Sequence, residues 1–408
     1  MRTLFLFIAI VISVSLKAQP GCTDPLATNY NNTATINDGS CVYAPATVTP
    51  YNIKTLSDTV AETSGLVRHN NYLWTHNDNS DLNLYALDTA TGQIMQTVSV
   101  QNVTNYDWED ITQDSNYFYV GDFGNNGNGN RTDLHILRIS KASLSNGTVL
   151  ADTIRFSYSD QTDFSGSGAN NTDYDCEAFI ATDDSLYLFT KQWVSKKTSV
   201  YVLPKTPSSS VYIASLKHTH DVQGMITAAT YLADKKTIVL TGYNLNPFVY
   251  LLYDFNSNNF FSGNKRKIDI VQPFSQIEAI ATQDGKSFFI TNEKLVQLNI
   301  PARLQKIDLT SYLNPYYQTA IASVINDQDV VIYPNPAVHS FSISINAQEQ
   351  STVILKLTDV LGKIVFVQQF ALSTGANKLM VKPNVAAGLY NLTLKNKGGI
   401  LTKKLSFK

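Results

Sequence analysis

The sequence contains few of the residues that common catalytic and metal centres depend on. Its 408 residues include 3 Cys, 6 His and 3 Trp. Zinc sites take His or Cys ligands, whereas the main candidate ligands of this sequence are carboxylates and carboxamides. The sequence has no nucleophile elbow, and no P-loop Lys-Ser/Thr pair follows its Gly-rich segment 123–130, so neither a serine hydrolase nor a phosphate-binding loop has motif support there. The sequence alone therefore shows no reaction.

Long hydrophobic runs are also absent, since no segment reaches the ~18 consecutive apolar residues that a membrane span needs. The N-terminus has Arg2, an apolar stretch from Leu4 to Leu16, and then Lys17-Ala18-Gln19. This pattern is typical of a signal peptide, which we place at residues 1–19. A membrane anchor is the alternative. We expect a protein secreted to the cell surface or the extracellular medium.

The net charge of −2 hides a division along the chain. Residues 20–329 contain 20 basic and 31 acidic residues, a net charge of −11. Residues 330–408 contain nine Lys against Glu349 and Asp359, a net charge of +7. The acidic body disfavours binding of nucleic acid and favours binding of cations or neutral ligands. The basic tail could bind lipopolysaccharide or an acidic receptor.

Two of the cysteines bracket a short polar segment. We predict a disulfide between Cys22 and Cys41, as expected in an oxidising compartment. Cys176 is left over and is predicted to be a buried small hydrophobic residue.

Residues 20–43 resemble a short cysteine-bracketed motif of secreted Bacteroidota proteins. The resemblance rests on Gly21-Cys22-Thr23-Asp24-Pro25 and Asn37-Asp38-Gly39-Ser40-Cys41. Oxygen ligands for a calcium ion could come from Asp24, Asn29, Asn31 and Asp38. The alternative is that these side chains form Asx-turns without a metal. Residues 44–50 are predicted to be a linker.

The middle of the chain repeats a short strand with a polar or acidic entry. Aligned at Ser64, Glu109, Glu177, Gly224 and Glu278, the copies are 45, 68, 47 and 54 residues apart. Three further strands are predicted in each copy, in the last one Ser287–Thr291, Leu295–Leu298 and Gln305–Leu309. Four strands at a period near fifty predict β-propeller blades.

The predicted fold is therefore an all-β, five-bladed β-propeller over residues 51–313. A six-bladed ring is also compatible with the sequence. The 68-residue step has room for extra strands, and Tyr51–Ser57 could close the ring as a borrowed outer strand. An elongated array of β-sandwiches is the alternative. Phrases such as Trp108-Glu109-Asp110-Ile111 and Gly121-Asp122-Phe123-Gly124-Asn125 resemble a group of secreted bacterial propellers of mostly unassigned function.

The first strand of each blade lines the channel of a propeller, so Glu109, Glu177 and Glu278 are expected to converge. Carboxylates that converge without counter-charge repel one another unless a cation neutralises them. We expect Ca²⁺ there, with further oxygens from Asn77, Asp122 and Asn292. The alternative is that the glutamates cap blade ends through backbone N–H groups.

Three other features are weaker candidates. His218 and His220 could supply two metal ligands, but no third ligand is evident. His76 could act as an acid or base, although a single His is more often structural. The segment from Phe123 to Asn130 is predicted to be a loop and not a phosphate cradle.

The C-terminal residues 330–408 resemble the type A sorting domain of type IX secretion, after a predicted hinge at residues 314–329. The motifs appear in the expected order: Tyr333-Pro334-Asn335-Pro336, Leu361-Gly362-Lys363, Gly388-Leu389-Tyr390 and Lys403-Lys404-Leu405. The resemblance implies a small β-sandwich that an outer-membrane translocon reads, often removed as the cargo is attached to lipopolysaccharide.

Two functions agree with these features. The first is an exported binding or adhesion module organised by Ca²⁺. The second is a calcium-dependent hydrolase that resembles lactonase, esterase or phytase propellers, in which the ion polarises a substrate oxygen.

Overall fold

The structure is a computed structural model that describes residues 19–321, 330–347, 351–360, 362–396 and 399–408. These residues belong to two compact units, Met1–Leu309 and Thr310–Lys408. The predicted signal peptide, apart from residue 19, and the second half of the predicted hinge lie outside the described residues.

The first unit begins with the cysteine-bracketed module. Strands β1 (Pro20–Gly21) and β2 (Ile36–Asn37) pair in parallel. A Cys22–Cys41 disulfide with an S–S distance of 2.07 Å confirms the predicted pairing. Strands β3 (Thr47–Val48) and β4 (Tyr51–Thr55) then lead into the repeats.

Four antiparallel sheets of four successive strands follow. Their middle strands are apolar on both faces because neighbouring sheets cover them, as in the strand Pro247–Tyr253, which is buried throughout. The outer strands alternate between buried and exposed side chains. The strands are β5 (Thr63–His69), β6 (Tyr72–Asn77), β7 (Asn83–Asp88), β8 (Ile94–Gln101), β9 (Trp108–Gln113), β10 (Tyr117–Asp122), β11 (His135–Ser140), β12 (Thr148–Tyr158), β13 (Asp175–Ala181), β14 (Ser185–Lys191), β15 (Thr198–Pro204), β16 (Tyr212–His220), β17 (Met225–Leu232), β18 (Thr237–Tyr243), β19 (Pro247–Tyr253) and β20 (Asn264–Ile270).

The fifth sheet combines both ends of the unit. Strands β21 (Ile277–Thr282), β22 (Ser287–Asn292) and β23 (Arg303–Asp308) are completed by β4, which pairs antiparallel with β23. The borrowed outer strand is thus confirmed. The predicted third strand Leu295–Leu298 is wrong, since Val296–Leu298 is a 3-10 turn, and Gln305–Leu309 overlaps the third strand and is not a fourth. The chain after β21 supplies only three strands of the fifth blade, because the fourth strand comes from a distant part of the chain.

The first strands of the five sheets form a closed ring. In that ring β5 contacts β9, β9 contacts β13, β13 contacts β17, β17 contacts β21, and β21 contacts β5. Apolar clusters between neighbouring sheets hold the ring, with Trp108, Phe118, Phe179 and Phe189 completely buried in them. This arrangement is a five-bladed β-propeller.

The antiparallel pairing fixes which residues meet at each end of the channel. Connections that precede a first strand or follow a second strand lie at one end, which we call the mouth end. Connections that follow a first or a third strand lie at the opposite end. Glu109, Glu177 and Glu278 all stand near the starts of first strands, and therefore at the mouth end.

The second unit contains α1 (Thr310–Ile321) and two small sheets. Their strands are β24 (Val330–Tyr333), β25 (Phe341–Ala347), β26 (Ser351–Thr358), β27 (Ile364–Leu372), β28 (Gly375–Val381), β29 (Gly388–Asn396) and β30 (Gly399–Phe407). One sheet has the order β24-β25-β28 and the other β27-β26-β29-β30. Both contribute to one apolar core that includes Phe341, Leu355 and Leu392, as a β-sandwich does.

Candidate metal centre

Irregular pairing in the first strands aims acidic side chains at the mouth end of the channel. In β13, Cys176 pairs with Thr190 and Ala178 with the adjacent Phe189, so Glu177 is an extra, bulged residue. Glu278 has the same position in β21. A bulge turns its side chain out of the regular alternation, which explains how these carboxylates leave the sheet faces.

Three buried carboxylates meet at this point. One oxygen from each of Glu109, Asp175 and Glu177 lies within 4.8 Å of the other two. The sequence predicted Glu109 and Glu177 but missed Asp175. Asp175 stands two residues before Glu177 at the start of the same strand, so its nearness in sequence to a predicted ligand is the available signal, although the bulge at Glu177 breaks the regular alternation of faces.

Gly124 allows the loop after β10 to pass close to the carboxylates. A Cβ atom at this position would collide with Glu109 Oε1 and Asp107 Oδ2. The loop also supplies the backbone N–H of Asn125, which donates to Asp175 Oδ1 at 2.6 Å. The predicted loop from Phe123 to Asn130 thus contributes to the wall of the acidic centre.

Lys191 is a buried cation that was not among the site residues predicted from the sequence. Its Nζ lies 2.8 Å from Glu177 Oε2 and faces the rings of Trp193 and Tyr243 at 4.8 and 5.1 Å. Although burial opposes the charge, Glu177 and Glu278 keep the pKa of Lys191 well above its usual value. Lys191 is therefore a permanent ammonium among the carboxylates.

The carboxylates at the mouth greatly outnumber the cations beside them. Burial raises the pKa of each, and repulsion between neighbours adds to the shift. The pKa rises to about 6 for Asp78 and to about 7 for Asp107 and Glu278, and well above the usual range for Glu109, Glu177 and Glu293. Asp175, whose pKa is also raised, completes the set. We call these seven residues the acidic mouth.

The stability of the ion-free protein should fall as pH rises through neutrality. A carboxyl group whose folded pKa is raised stabilises the fold while protonated, and that contribution is lost as pH rises through the folded value. Asp107 and Glu278, with pKa values of about 7, should therefore lower the melting temperature in EDTA as the pH rises from about 5 to about 7.5, since carboxyl groups of the unfolded chain ionise at about pH 4. Saturating Ca²⁺ should reduce this difference. An equal or higher melting temperature at the higher pH in EDTA would contradict the burial of uncompensated carboxylates.

Three other predicted ligands already have protein partners. Asp122 forms an ion pair with Arg131 at 2.7 Å. The Asn77 amide donates to Thr59 O and Asp81 Oδ2. Asn292 Oδ1 accepts from Gln305 Nε2 at 2.9 Å. Their part in ion binding stays a prediction.

Asp110 has a structural position deeper in the ring. Its carboxylate accepts backbone N–H groups of Ile111 at 2.8 Å, Phe179 at 3.1 Å and Ala229 at 3.3 Å. These residues belong to three different first strands. Asp110 therefore ties three blades together at the centre of the propeller.

The four residues of the predicted second calcium loop also accept or donate hydrogen bonds within the protein. Asp24 Oδ2 accepts from the hydroxyls of Tyr43 and Tyr253 at 2.8 and 2.5 Å. Asn29 Oδ1 accepts from Val42 N. Asn31 Oδ1 and Asp38 Oδ1 accept backbone N–H groups two residues on, the geometry of Asx-turns. An ion at this loop stays a prediction.

The weaker histidine candidates are placed among aromatic rings. His76 is completely buried, packs edge-on against Trp108 and has its pKa lowered to about 4 by burial. His220 stacks on Phe261 and His218 lies tilted against the same ring, and His220 Nε2 lies 2.9 Å from the Tyr250 hydroxyl.

In the second unit, the sorting motifs contact one another. Asn335 Nδ2 donates to Lys404 O and Asn335 Oδ1 accepts from Ser406 N, both at 3.0 Å. The first motif is thereby fixed to β30, which includes Lys403 and Lys404. Tyr390 donates its hydroxyl to Ala386 O at 2.8 Å, and Gly362 adopts a φ of +83° in the turn before β27.

The propeller and the sandwich together define an exported β-propeller protein. Its C-terminal segment is a type IX sorting domain, because residues 331–408 match the family described as "Secretion system C-terminal sorting domain". This domain indicates recognition by the type IX machinery and export across the outer membrane. Among the described residues, no helix is both long and apolar enough to cross a membrane.

Comparisons with other proteins give distant similarities. No curated protein sequence matches the chain. The glutaminyl cyclase of Myxococcus xanthus is 13% identical with a TM-score of 0.40, covering 65% of this chain and 99% of its own. The Cps50 (Swd1) β-propeller domain of Myceliophteria thermophila is 9% identical with a TM-score of 0.33, covering 60% of this chain and 83% of its own. A mitotic checkpoint complex chain is 12% identical with a TM-score of 0.28, covering 60% and 63%. Scores this low transfer neither an activity nor a ligand.

Proposed function

We propose that the propeller is an exported binding module organised by Ca²⁺, with Glu109, Asp175 and Glu177 as the protein ligands of the ion. The observation that supports this most directly is the group of three buried carboxylate oxygens within 4.8 Å of one another. Oxygen-only donors favour hard cations over zinc.

The dimensions and the charge of the site agree with calcium. Ca²⁺ takes oxygens at ~2.3–2.6 Å, so two ligands on opposite sides of the ion stand ~5 Å apart. The acidic mouth has seven carboxyl groups around the single ammonium of Lys191, and a divalent ion would relieve their repulsion. Glu278 Oε2 is buried without a hydrogen-bond partner among the described residues, so it adds to the uncompensated negative potential around the three proposed ligands.

We call residues 20–408, the chain without the predicted signal peptide, the mature chain. Its thermal melting during a calcium titration tests the proposal. We expect Ca²⁺ to raise the melting temperature by several degrees, since ~100-fold saturation adds about 2.7 kcal/mol. Glu177→Gln and Glu109→Gln should remove most of that shift. Asp234→Asn is the matched control, because Asp234 is exposed and lies at the opposite end. A wild-type protein that does not respond to Ca²⁺ would overturn the site.

A hydrolase remains the second candidate because two carboxyl groups, Asp107 and Glu278, have pKa values of about 7. Such groups can donate or accept a proton near neutral pH. His76 is a poor base for this reaction because it is completely buried. Turnover of lactone, phosphate-ester or aryl-ester substrates that disappears in Glu278→Gln would favour this candidate over simple binding.

We also propose that the sorting domain is removed as the propeller is attached to lipopolysaccharide at the cell surface. Deleting residues 330–408 should then leave the propeller folded but retained in the periplasm, on the inner side of the outer membrane. Cell fractionation with a propeller-specific antibody measures this. Equal surface amounts of the full-length and shortened proteins would contradict the role of the tail as an export signal.

A further inference from the structure

Exposed apolar side chains surround the acidic mouth. Leu245, Val296 and Phe274 are 85, 72 and 71% exposed, and each lies in a connection at the mouth end. Every blade contributes to this end of the molecule through at least one such connection. We call the full set the apolar rim: Tyr106, Phe164, Val194, Leu245, Val271, Phe274, Val296 and Leu298.

The strand connections at the opposite end of the propeller lack this feature, although the cysteine-bracketed module, which contacts Asp254 in one of them, exposes Leu26, Tyr30, Ile36 and Val42. Among the described residues of the connections there, the one large apolar side chain that is exposed is Val211, at 55%. Chance exposure of apolar residues would affect both ends alike. Exposed apolar groups concentrated on one face mark a surface that contacts a partner.

The centre of the rim is acidic and is not neutralised by one metal ion. Lys191 pairs with Glu177 and the proposed ion lies at Glu109, Asp175 and Glu177, whereas Asp78, Glu278 and Glu293 form no ion pair among the described residues. Burial raises the pKa of the Glu293 carboxyl, and Asp78 and Glu278 lie close enough to Glu293 for their repulsion to raise it further. Glu278 Oε2 is buried without a partner among the described residues. Part of the mouth therefore remains suited to a further positive group.

We propose that the mouth end binds a protein or peptide whose Lys or Arg side chain enters beside Asp78, Glu278 and Glu293 while its apolar residues contact the apolar rim. A bare metal ion would use the carboxylates but leave the apolar rim without a role. An anionic lipid surface would be repelled by the acidic centre. This inference rests on the proposed function in that it takes the propeller to be a binding module.

An array of apolar pentapeptides with Lys, Arg, norleucine or Glu at the central position tests the inference. Fluorescence anisotropy with the mature chain should show the Lys and Arg peptides bound at least ~10-fold more tightly than the norleucine peptide, and the Glu peptide bound weakest. N-acetyl-lysine amide, which lacks the apolar residues, should bind weakly.

Variants separate the two parts of the surface. The double variant Leu245→Ser, Phe274→Ser should weaken the binding of the Lys and norleucine peptides alike, by at least ~5-fold. Glu278→Gln should weaken only the Lys and Arg peptides. Val211→Ser is the matched control, since it removes an exposed apolar residue from the opposite end, and it should bind every peptide as the wild type does.

Several results would overturn the inference. These are no binding of any peptide, equal binding of the Lys and norleucine peptides, equal losses in the control, or binding of N-acetyl-lysine amide as tight as that of the peptides. Each titration is repeated with Ca²⁺ and with EDTA. If peptide binding persists while Ca²⁺ has no effect on melting, the calcium site fails and the docking surface stands.

Discussion

Replacing Asp110 by Ala is expected to lower the free energy of unfolding by about 3–6 kcal/mol. The carboxylate accepts N–H groups from Ile111, Phe179 and Ala229, which belong to the first strands of three blades. Removing it leaves these donors in the buried centre of the ring, and each unsatisfied donor costs about 1–3 kcal/mol. Denaturant unfolding of the mature chain measures the loss.

Two further variants test the cause of this loss. Asp110→Asn keeps one acceptor oxygen at the same place and should be clearly less damaging than Asp110→Ala. Asp152→Ala removes an exposed carboxylate that pairs with Arg138 at 2.6 Å, and should cost less than about 1 kcal/mol. Similar losses for Asp110→Ala and Asp152→Ala would show that the ring does not depend on the central carboxylate.

Replacing Lys191 by Met is expected to destabilise the protein by about 3–5 kcal/mol in EDTA near neutral pH. Met preserves most of the buried stem but removes the ammonium that lies 2.8 Å from Glu177 Oε2. Glu177 would then have no cation beside it while Glu109 and Asp175 stay within 4.8 Å. Breaking a buried pair by removing one partner leaves an uncompensated charge, which is the costly case.

Calcium should restore much of the stability that Lys191→Met loses, because the ion can replace the missing positive charge. The increase in melting temperature on adding Ca²⁺ should therefore be larger for this variant than for the wild type. Lys294→Met is the matched control, since Lys294 pairs with Asp58 at the surface. A loss in Lys191→Met that Ca²⁺ does not reduce would mean that the ion, if it binds, lies away from Glu177.

Asp110→Asn and Lys191→Met are expected to differ in their effect on the affinity for Ca²⁺. Asp110 contacts backbone groups and has no part in the proposed ion site, so Asp110→Asn should leave the affinity for Ca²⁺ unchanged in the folded fraction. Lys191 lies inside the acidic mouth, so its replacement should change the affinity. Comparing the two by calorimetry separates the framework of the ring from the site that it supports.

Local sequence was sufficient for the features that depend on short-range patterns. The repeat of a strand with an acidic entry at Glu109, Glu177 and Glu278 gave the propeller, because each blade is a local unit of successive antiparallel strands. Cys22 and Cys41 lie close along the chain and formed the expected disulfide. The ordered motifs from Tyr333 to Leu405 identified the sorting domain.

Only the tertiary structure decided how distant segments meet. The sequence allowed Tyr51–Ser57 as a borrowed outer strand, but its pairing with the third strand of the fifth blade, some 250 residues later in the chain, depends on ring closure. The grouping of Glu109 with Asp175 and Glu177, the buried ammonium of Lys191 and the three-blade contacts of Asp110 depend on bulges and on ring closure. The sequence by itself determined that this protein is an exported propeller with acidic strand entries. Where those charges converge, and which of them are left without a partner, follows from long-range packing, since side chains far apart in sequence become neighbours only when the ring closes.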